Sequence, residues 1–325
     1  LFEKIKKNAR SIIIASGTLS PFESFASELE TSFGIRVSAP HVVDPSQVLT
    51  LSIKSYNNCP ITSKFSVLQS RNQEIYSNLS TIILKTIKEV PGGALLFTPS
   101  YYTKDSIIKR WRISKAYDLI SQIKPIVEER SDLPAQKIIR EFTSYPRGGL
   151  LVGVCRGKIS EGLDFSDDLS RIFYVFVIPY PGFKDAEVEL KMKYNDIRHS
   201  YDKDYLAGND WYNGQAFRAL FQSVGRCVRH MNDYGAIVFL DERIEQNMEK
   251  LPKWLMNNFY KTTTVDQAES LLSKFYAGMK QRFPHSKSSS LLGKREEKTV
   301  NYEEKPILPS YSSSNTITVR SNSGD

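Results

Sequence analysis

"GLLVGVCRGKISEGLDF" (149–165) reads as an apolar strand, a Cys-Arg-Gly-Lys turn and then a short polar segment. A run without polar alternation suits a strand buried on both faces, and such strands belong to parallel sheets covered by helices. The Gly-Lys in the turn invites comparison with a phosphate loop. That loop needs Gly, four residues, then Gly-Lys followed by Ser or Thr. Here only Val154, Cys155 and Arg156 separate Gly153 from Gly157, and Ile159 stands where the magnesium-binding hydroxyl belongs. Both requirements fail. What remains is a set of donors, Arg156, Lys158 and Ser160, able to meet a phosphate at the end of a strand. Glu161 and Asp164 are three apart and share a face if the segment is helical. Carboxylates so placed can accept from sugar hydroxyls or hold an arginine of a neighbouring loop. The plainer alternative is a polar turn whose Lys and Glu are simply solvated.

Other short apolar runs bounded by Gly, Pro or Ser repeat the pattern: "SIIIAS" (11–16), "GALLFTPS" (93–100), "RIFYVFVIP" (171–179) and "GAIVFLDER" (235–243). Between them lie helix-like stretches such as "NLSTIILKTIKEV" (78–90) and "YYTKDSIIKRW" (101–111). The alternation predicts an α/β fold, a mostly parallel sheet with helices on both faces. Ligands of such sheets bind beyond the C-terminal strand ends. Those ends carry "SGTLSP", "TPSYY", "CRGKISEG", "PYPGFKD" and "DER".

Composition bounds the function class. The 325 residues are 40% hydrophobic and 25% charged, ordinary values for a globular protein of about two domains. The net charge of +8 favours a polyanionic partner, though weakly. No apolar run approaches the ~18–20 residues of a membrane-spanning helix, and neither a signal peptide nor a membrane partner is expected. Cys59, Cys155 and Cys227 are scattered, as are His41, His199, His230 and His285, so no metal site is predicted. Residues 283–325, rich in Ser, Lys, Glu and Asn, predict a disordered tail.

"GQAFRALFQSVGRCVRH" (214–230) carries the second signal. At ~100° per residue, Arg218, Gln222, Arg226 and Arg229 fall at about −40°, 0°, +40° and −20°, one narrow stripe of a helix. Phe217, Leu220, Val224, Cys227 and Val228 take the opposite side. Guanidinium groups so close repel one another unless an anion covers them, and a phosphate suits their planar forks. Otherwise Asp241 or Glu242, on the next strand end, neutralises the stripe, or water does. Gly225 within the helix costs about 1 kcal/mol relative to Ala and suggests a close approach by backbone or ligand.

Three motifs, in order, resemble one family. "ASGTLSP" (15–21), "RGKISEGLDF" (156–165) and "QSVGRCVRHMNDYGAIVFLDER" (222–243) are similar to motifs III, V and VI of superfamily 2 iron–sulfur DNA helicases, the xeroderma pigmentosum group D branch. "GALLFTPSYYTKDSIIKRW" (93–111) resembles motif IV. "PYPGFKDAEVELKMKYND" and "GNDWYNGQAFRA" narrow the resemblance to the Fanconi anaemia group J and telomere-elongation subfamilies, without separating them.

The resemblance covers about residues 8–275 and implies two RecA-like motor domains with ATP and Mg2+ in the cleft between them. Arg226 and Arg229 would be arginine fingers for the γ-phosphate, completed by Gln222 and Gly225. Glu161, Gly162 and Asp164 would couple nucleotide to DNA. Ser16, Gly17, Thr18, Thr98, Ser100, Tyr101, Arg156 and Lys158 would lie on the DNA side. The family's phosphate loop, Asp-Glu-Ala-His box and iron–sulfur cysteines are not in this sequence. Residues 1–41 would then close the first motor domain, 42–282 form the second, and 283–325 the tail. The expected function is the C-terminal motor half of an ATP-dependent 5′-to-3′ DNA helicase of the nucleus. Its partners would be single-stranded or forked DNA, the N-terminal helicase half, and repair proteins bound through the tail. The alternative is a non-catalytic nucleic-acid-binding or partner-binding module.

Overall fold

The strands Ala94–Thr98, Leu150–Val154 and Gly235–Phe239 are buried at every position. A strand with both faces covered can be apolar throughout, which explains the uninterrupted runs. The computed structural model describes residues 2–16, 19, 22–38, 41–162 and 165–284, without the side chains of 161 and 162. In chain order the elements begin with α1 (Phe2–Asn8), α2 (Phe22–Glu28) and β1 (Val48–Ser52), then the hairpin β2 (Ser55–Tyr56) and β3 (Cys59–Pro60). Next come α3 (Phe65–Thr86), β4 (Ala94–Thr98), α4 (Tyr101–Ile113), α5 (Ala116–Ile123), β5 (Ile126–Glu128), α6 (Ala135–Thr143) and β6 (Leu150–Val154). The rest are α7 (Lys158–Gly162), β7 (Ile172–Val175), α8 (Ala186–Tyr201), α9 (Gly208–Val224), β8 (Gly235–Phe239), α10 (Lys253–Met256), β9 (Phe259–Tyr260) and α11 (Val265–Arg282).

Seven strands form one sheet in the order β5-β6-β4-β7-β8-β1-β9, and each pairing in it is parallel. Leu95 sits in register with Leu151 on one side and Phe173 on the other. Alternate residues feed two cores, as the strand period of two demands. Leu96 and Tyr174 face a core with Ile75, Leu79, Ile107 and Leu272, from α3, α4 and α11. Leu95, Phe97 and Phe173 face another with Ile138 and Phe142 of α6 and Phe217 and Leu220 of α9. The result is a three-layer α/β/α body.

Helix starts follow local chemistry. Ser100 accepts the Thr103 N–H to begin α4, and Thr264 and Gln267 cap α11 reciprocally.

One expectation is corrected, and one strand was not anticipated. "SIIIAS" (11–16) is not a strand: Ile13 is 91% exposed. A strand needs neighbours to satisfy its backbone, and the segment pairs with none of the sheet's strands. Conversely β1, which the apolar pattern did not reveal, lies inside the sheet between β8 and β9, with Thr50 and Ser52 fully buried. The expected tail lies outside the described residues beyond Pro284. Among the described residues no helix is long and apolar enough to cross a membrane.

Candidate functional site: an arginine-lined cavity

Helix α9 packs against the sheet through Phe217, Leu220 and Val224, all fully buried. Its other face presents Gln215, Arg218 and Gln222. The helix stops at Val224, where Gly225 caps it by donating to the Phe221 carbonyl at 2.8 Å. The single helical stripe expected through Arg229 is therefore not formed. Arg226 and Arg229 lie on the turn that follows. Their chain is bent away because Cys227 and Val228 are buried, Phe165 N–H donates to the Arg226 carbonyl at 3.2 Å, and Arg229 N–H donates to Asp233 Oδ2 at 3.1 Å.

The opposite wall comes from the stretch after β6. Arg156 takes a left-handed backbone conformation (φ +62°) and donates from Nη2 to the Gln215 carbonyl at 3.2 Å. Ser160, on α7, donates to the Gly157 carbonyl. Between these walls is a cavity of about 320 Å3 lined by Arg156, Ser160, Gln215, Arg218, Gln222 and Arg226, with Ala219 and Ser223 beneath. Three guanidinium groups and two amides converge, with no carboxylate among these described lining residues. Guanidinium and amide donors of this kind suit the oxygens of an anion.

Arg218 is balanced from outside the cavity wall. Glu28 of α2 holds it with both carboxylate oxygens at 3.3 Å, and Ser24 Oγ accepts from it at 3.0 Å. Glu28 also accepts from Trp211 Nε1 and Gln215 Nε2. The acid that answers Arg218 is thus Glu28, while Asp241, one of the two acids considered as a neutralising alternative, pairs with Arg243 at 2.6 Å.

The other anticipated residues are placed as follows. Thr98 is fully buried, and its hydroxyl donates to the Gly153 carbonyl at 3.1 Å, tying β4 to β6. Ser100 caps α4, and Tyr101 opens it with its hydroxyl on Glu129 Oε1 at 2.9 Å. Burial, then the adjacent carboxylate, push that phenol up to about 12. Lys158 donates to the Ser131 carbonyl at 2.7 Å from an exposed position. Ser16 is exposed. Gly162 ends α7. Gly17, Thr18, Asp164 and the Glu161 side chain lie outside the described residues. Arg229 does not line the cavity.

The helicase C-terminal domain family matches residues 83–258, more than half of the chain. The chain belongs to the helicase C-terminal domain family. It is 37% identical over 262 residues to the Fanconi anemia group J protein homolog of Gallus gallus, covering 76% of this chain and 21% of that protein. It is 34% identical over 295 residues to the regulator of telomere elongation helicase 1 homolog of Aedes aegypti, covering 87% of this chain and 29% of that protein. The chain thus spans under a third of the length of these relatives. A solved XPD helicase superposes with a TM-score of 0.58 at 20% identity, covering 80% of this chain and 44% of that one, so the fold is the RecA-like helicase fold.

Three acidic residues of this helicase domain escaped sequence reasoning. Glu28 acts across the chain on Arg218. Glu129, fully buried after β5, accepts from Val154 N–H at 2.8 Å and from the Tyr101 hydroxyl. Asp233, also fully buried, takes Arg171 Nη1 at 2.9 Å and the N–H groups of Asp167, Arg229 and Tyr234. Arg171 completes this hub with Asp168 at 2.9 Å and by lying 3.9 Å over the Tyr234 ring. Asp167, His230 and Asp233 come within 4.8 Å of one another. Yet both Asp233 oxygens already serve N–H donors, which makes the group an ion-pair hub rather than a cation cradle. The partners that hold these acids, Arg218 for Glu28, Val154 for Glu129 and Arg171 for Asp233, are distant in sequence and leave no local pattern.

Proposed function

We propose that this chain is the C-terminal motor half of an ATP-dependent 5′-to-3′ DNA helicase. Residues 1–41 end the first motor domain, residues 42–282 form the second, and the tail from 283 recruits repair proteins in the nucleus. The observation that carries the reading is the convergence of Arg156, Gln222 and Arg226 on one cavity. Phosphoryl transfer is served by fixed donors aimed at charge that develops on phosphate oxygens. Arg226 is the finger closest in placement to that task, and Gln222 orients the same oxygens. Arg229 supports the turn from outside the cavity.

The donor set fits the terminal phosphate of ATP, which supplies the transferable phosphoryl group when bound. It does not fit the whole nucleotide, because the sequence contains no phosphate loop. None of the described residues lining the cavity is a carboxylate that would hold Mg2+, and the three cysteines are buried and fewer than the four an iron–sulfur cluster takes. No step is assigned to either. DNA lies against the Tyr101 side, with Lys158, Thr98 and Ser100 ordering that edge directly or through the backbone.

Reconstitution tests the reading. The chain alone should hydrolyse ATP negligibly. Joining it to an upstream lobe with phosphate loop and Asp-Glu-Ala-His box should give DNA-stimulated hydrolysis. Binding of single-stranded DNA without any hydrolysis by the joined protein would favour the non-catalytic module instead.

A further inference from the structure

Two cavities flank one buried carboxylate. Tyr101 lines a cavity of about 480 Å3, and Arg156 and Ser160 line the arginine cavity of about 320 Å3. Glu129 stands between them with no exposure to solvent. Its Oε1 accepts the Tyr101 hydroxyl at 2.9 Å and Ile159 N–H at 3.4 Å; its Oε2 accepts Val154 N–H at 2.8 Å. Charge-assisted bonds of this kind are stronger than neutral ones.

Packing leaves the carboxylate no slack. A Cβ on Gly157 would lie 2.6 Å from Oε1, and one on Gly153 would lie 3.1 Å from Oε2. Glycine at both positions lets the turn close onto the acid, and displacing the acid must displace the turn. That turn holds Arg156 at positive φ, a conformation costly for a residue with a Cβ. Around the Tyr101 cavity Lys104 closes on Asp105, Arg112 on Glu128 and Arg130 on Asp132, and Glu141 adds a further carboxylate to the lining. The Tyr101 hydroxyl instead leads inward, to Glu129.

We propose that Glu129 is a positioning residue linking Tyr101 to the Val154–Ser160 turn, so that a nucleic-acid strand held at Tyr101 alters the grip of the arginine cavity on phosphate. The occupants named rest on the helicase reading; the strut does not. The linkage is reciprocal, as any coupling of two binding equilibria must be.

The test titrates the chain with tripolyphosphate, with and without a saturating oligothymidylate. In the wild type the oligonucleotide should change tripolyphosphate affinity by about fivefold or more. In Glu129→Gln each probe still binds alone while the change disappears, and Tyr101→Phe loses it too, whatever affinity it retains. Absence of the change in the wild type, or its full survival in folded Glu129→Gln, overturns the inference. Failure of the wild type to bind either probe counts against the helicase reading, and amide exchange then decides the strut. Ligand-free Tyr101→Phe should exchange Val154 and Ile159 about tenfold faster, with Leu96 and Val238 unchanged. Unaltered exchange at Val154 and Ile159 would sink it.

Discussion

Glu28 and Arg218 stand 190 positions apart in the chain, yet both carboxylate oxygens lie 3.3 Å from one guanidinium nitrogen. This pair fixes Arg218, one of the arginines lining the cavity, to a helix far back in the chain. Glu28→Gln should therefore raise tripolyphosphate affinity severalfold by releasing Arg218, while lowering the melting temperature modestly. Calorimetric titration checks the first effect and thermal unfolding the second. Unchanged affinity would mean that Arg218 takes no part in anion binding.

The Asp233–Arg171 pair is of another kind, with side chains 0% and 2% exposed. Removing one partner of a buried pair typically costs about 3–5 kcal/mol, because the other charge is stranded. Asp233→Ala should lose stability on that scale in denaturant unfolding. It should also loosen the turn bearing Arg226 and Arg229, since Arg229 N–H is bound to the same carboxylate. Amide exchange at residues 226–230 reads that second effect.

Lys124 gives the pH prediction. It is buried, donates to the Arg147 carbonyl at 3.0 Å, and desolvation lowers its amine from 10.5 to about 8. Below pH 8 the amine is charged in both states and burial of that charge opposes folding. Between pH 8 and 10.5 the unfolded chain holds more protons than the folded one, so this group's contribution improves as pH rises. Lys124→Met should thus stabilise the protein most at pH 7 and progressively less towards pH 10. Melting temperatures across that range decide it.

Gly157→Ala places a methyl group 2.6 Å from a Glu129 oxygen and 2.8 Å from the Val154 carbonyl. Neither neighbour is a flexible chain end. A loss of about 1–3 kcal/mol is expected, the usual scale for overpacking, measured by urea unfolding.

The sequence made the sheet legible where burial on both faces produced unbroken apolar runs, as in β4, β6, β7 and β8. It hid β1 because Thr50 and Ser52 interrupt the run, though both are fully buried. It misled at "SIIIAS", whose composition matches a strand but whose partners are not among the sheet's strands. The arginine stripe was half right. Cys227 and Val228 keep the helical period in sequence, yet they are buried by a turn, and the period carries no mark of the Gly225 stop. Glu28, Glu129 and Asp233 were illegible because the partners that decide their roles, Arg218, Tyr101 and Arg171, are brought close only by the fold.

The central claim is that Arg226 acts on phosphate during transfer while Arg218 is occupied with Glu28. The most direct measurement is the steady-state kcat for ATP hydrolysis by this chain joined to its upstream lobe, comparing Arg226→Ala with Arg218→Ala. The account predicts a loss of about 10³-fold or more for Arg226→Ala, the scale of a missing arginine finger, and a much smaller loss for Arg218→Ala. Wild-type turnover by Arg226→Ala would contradict it.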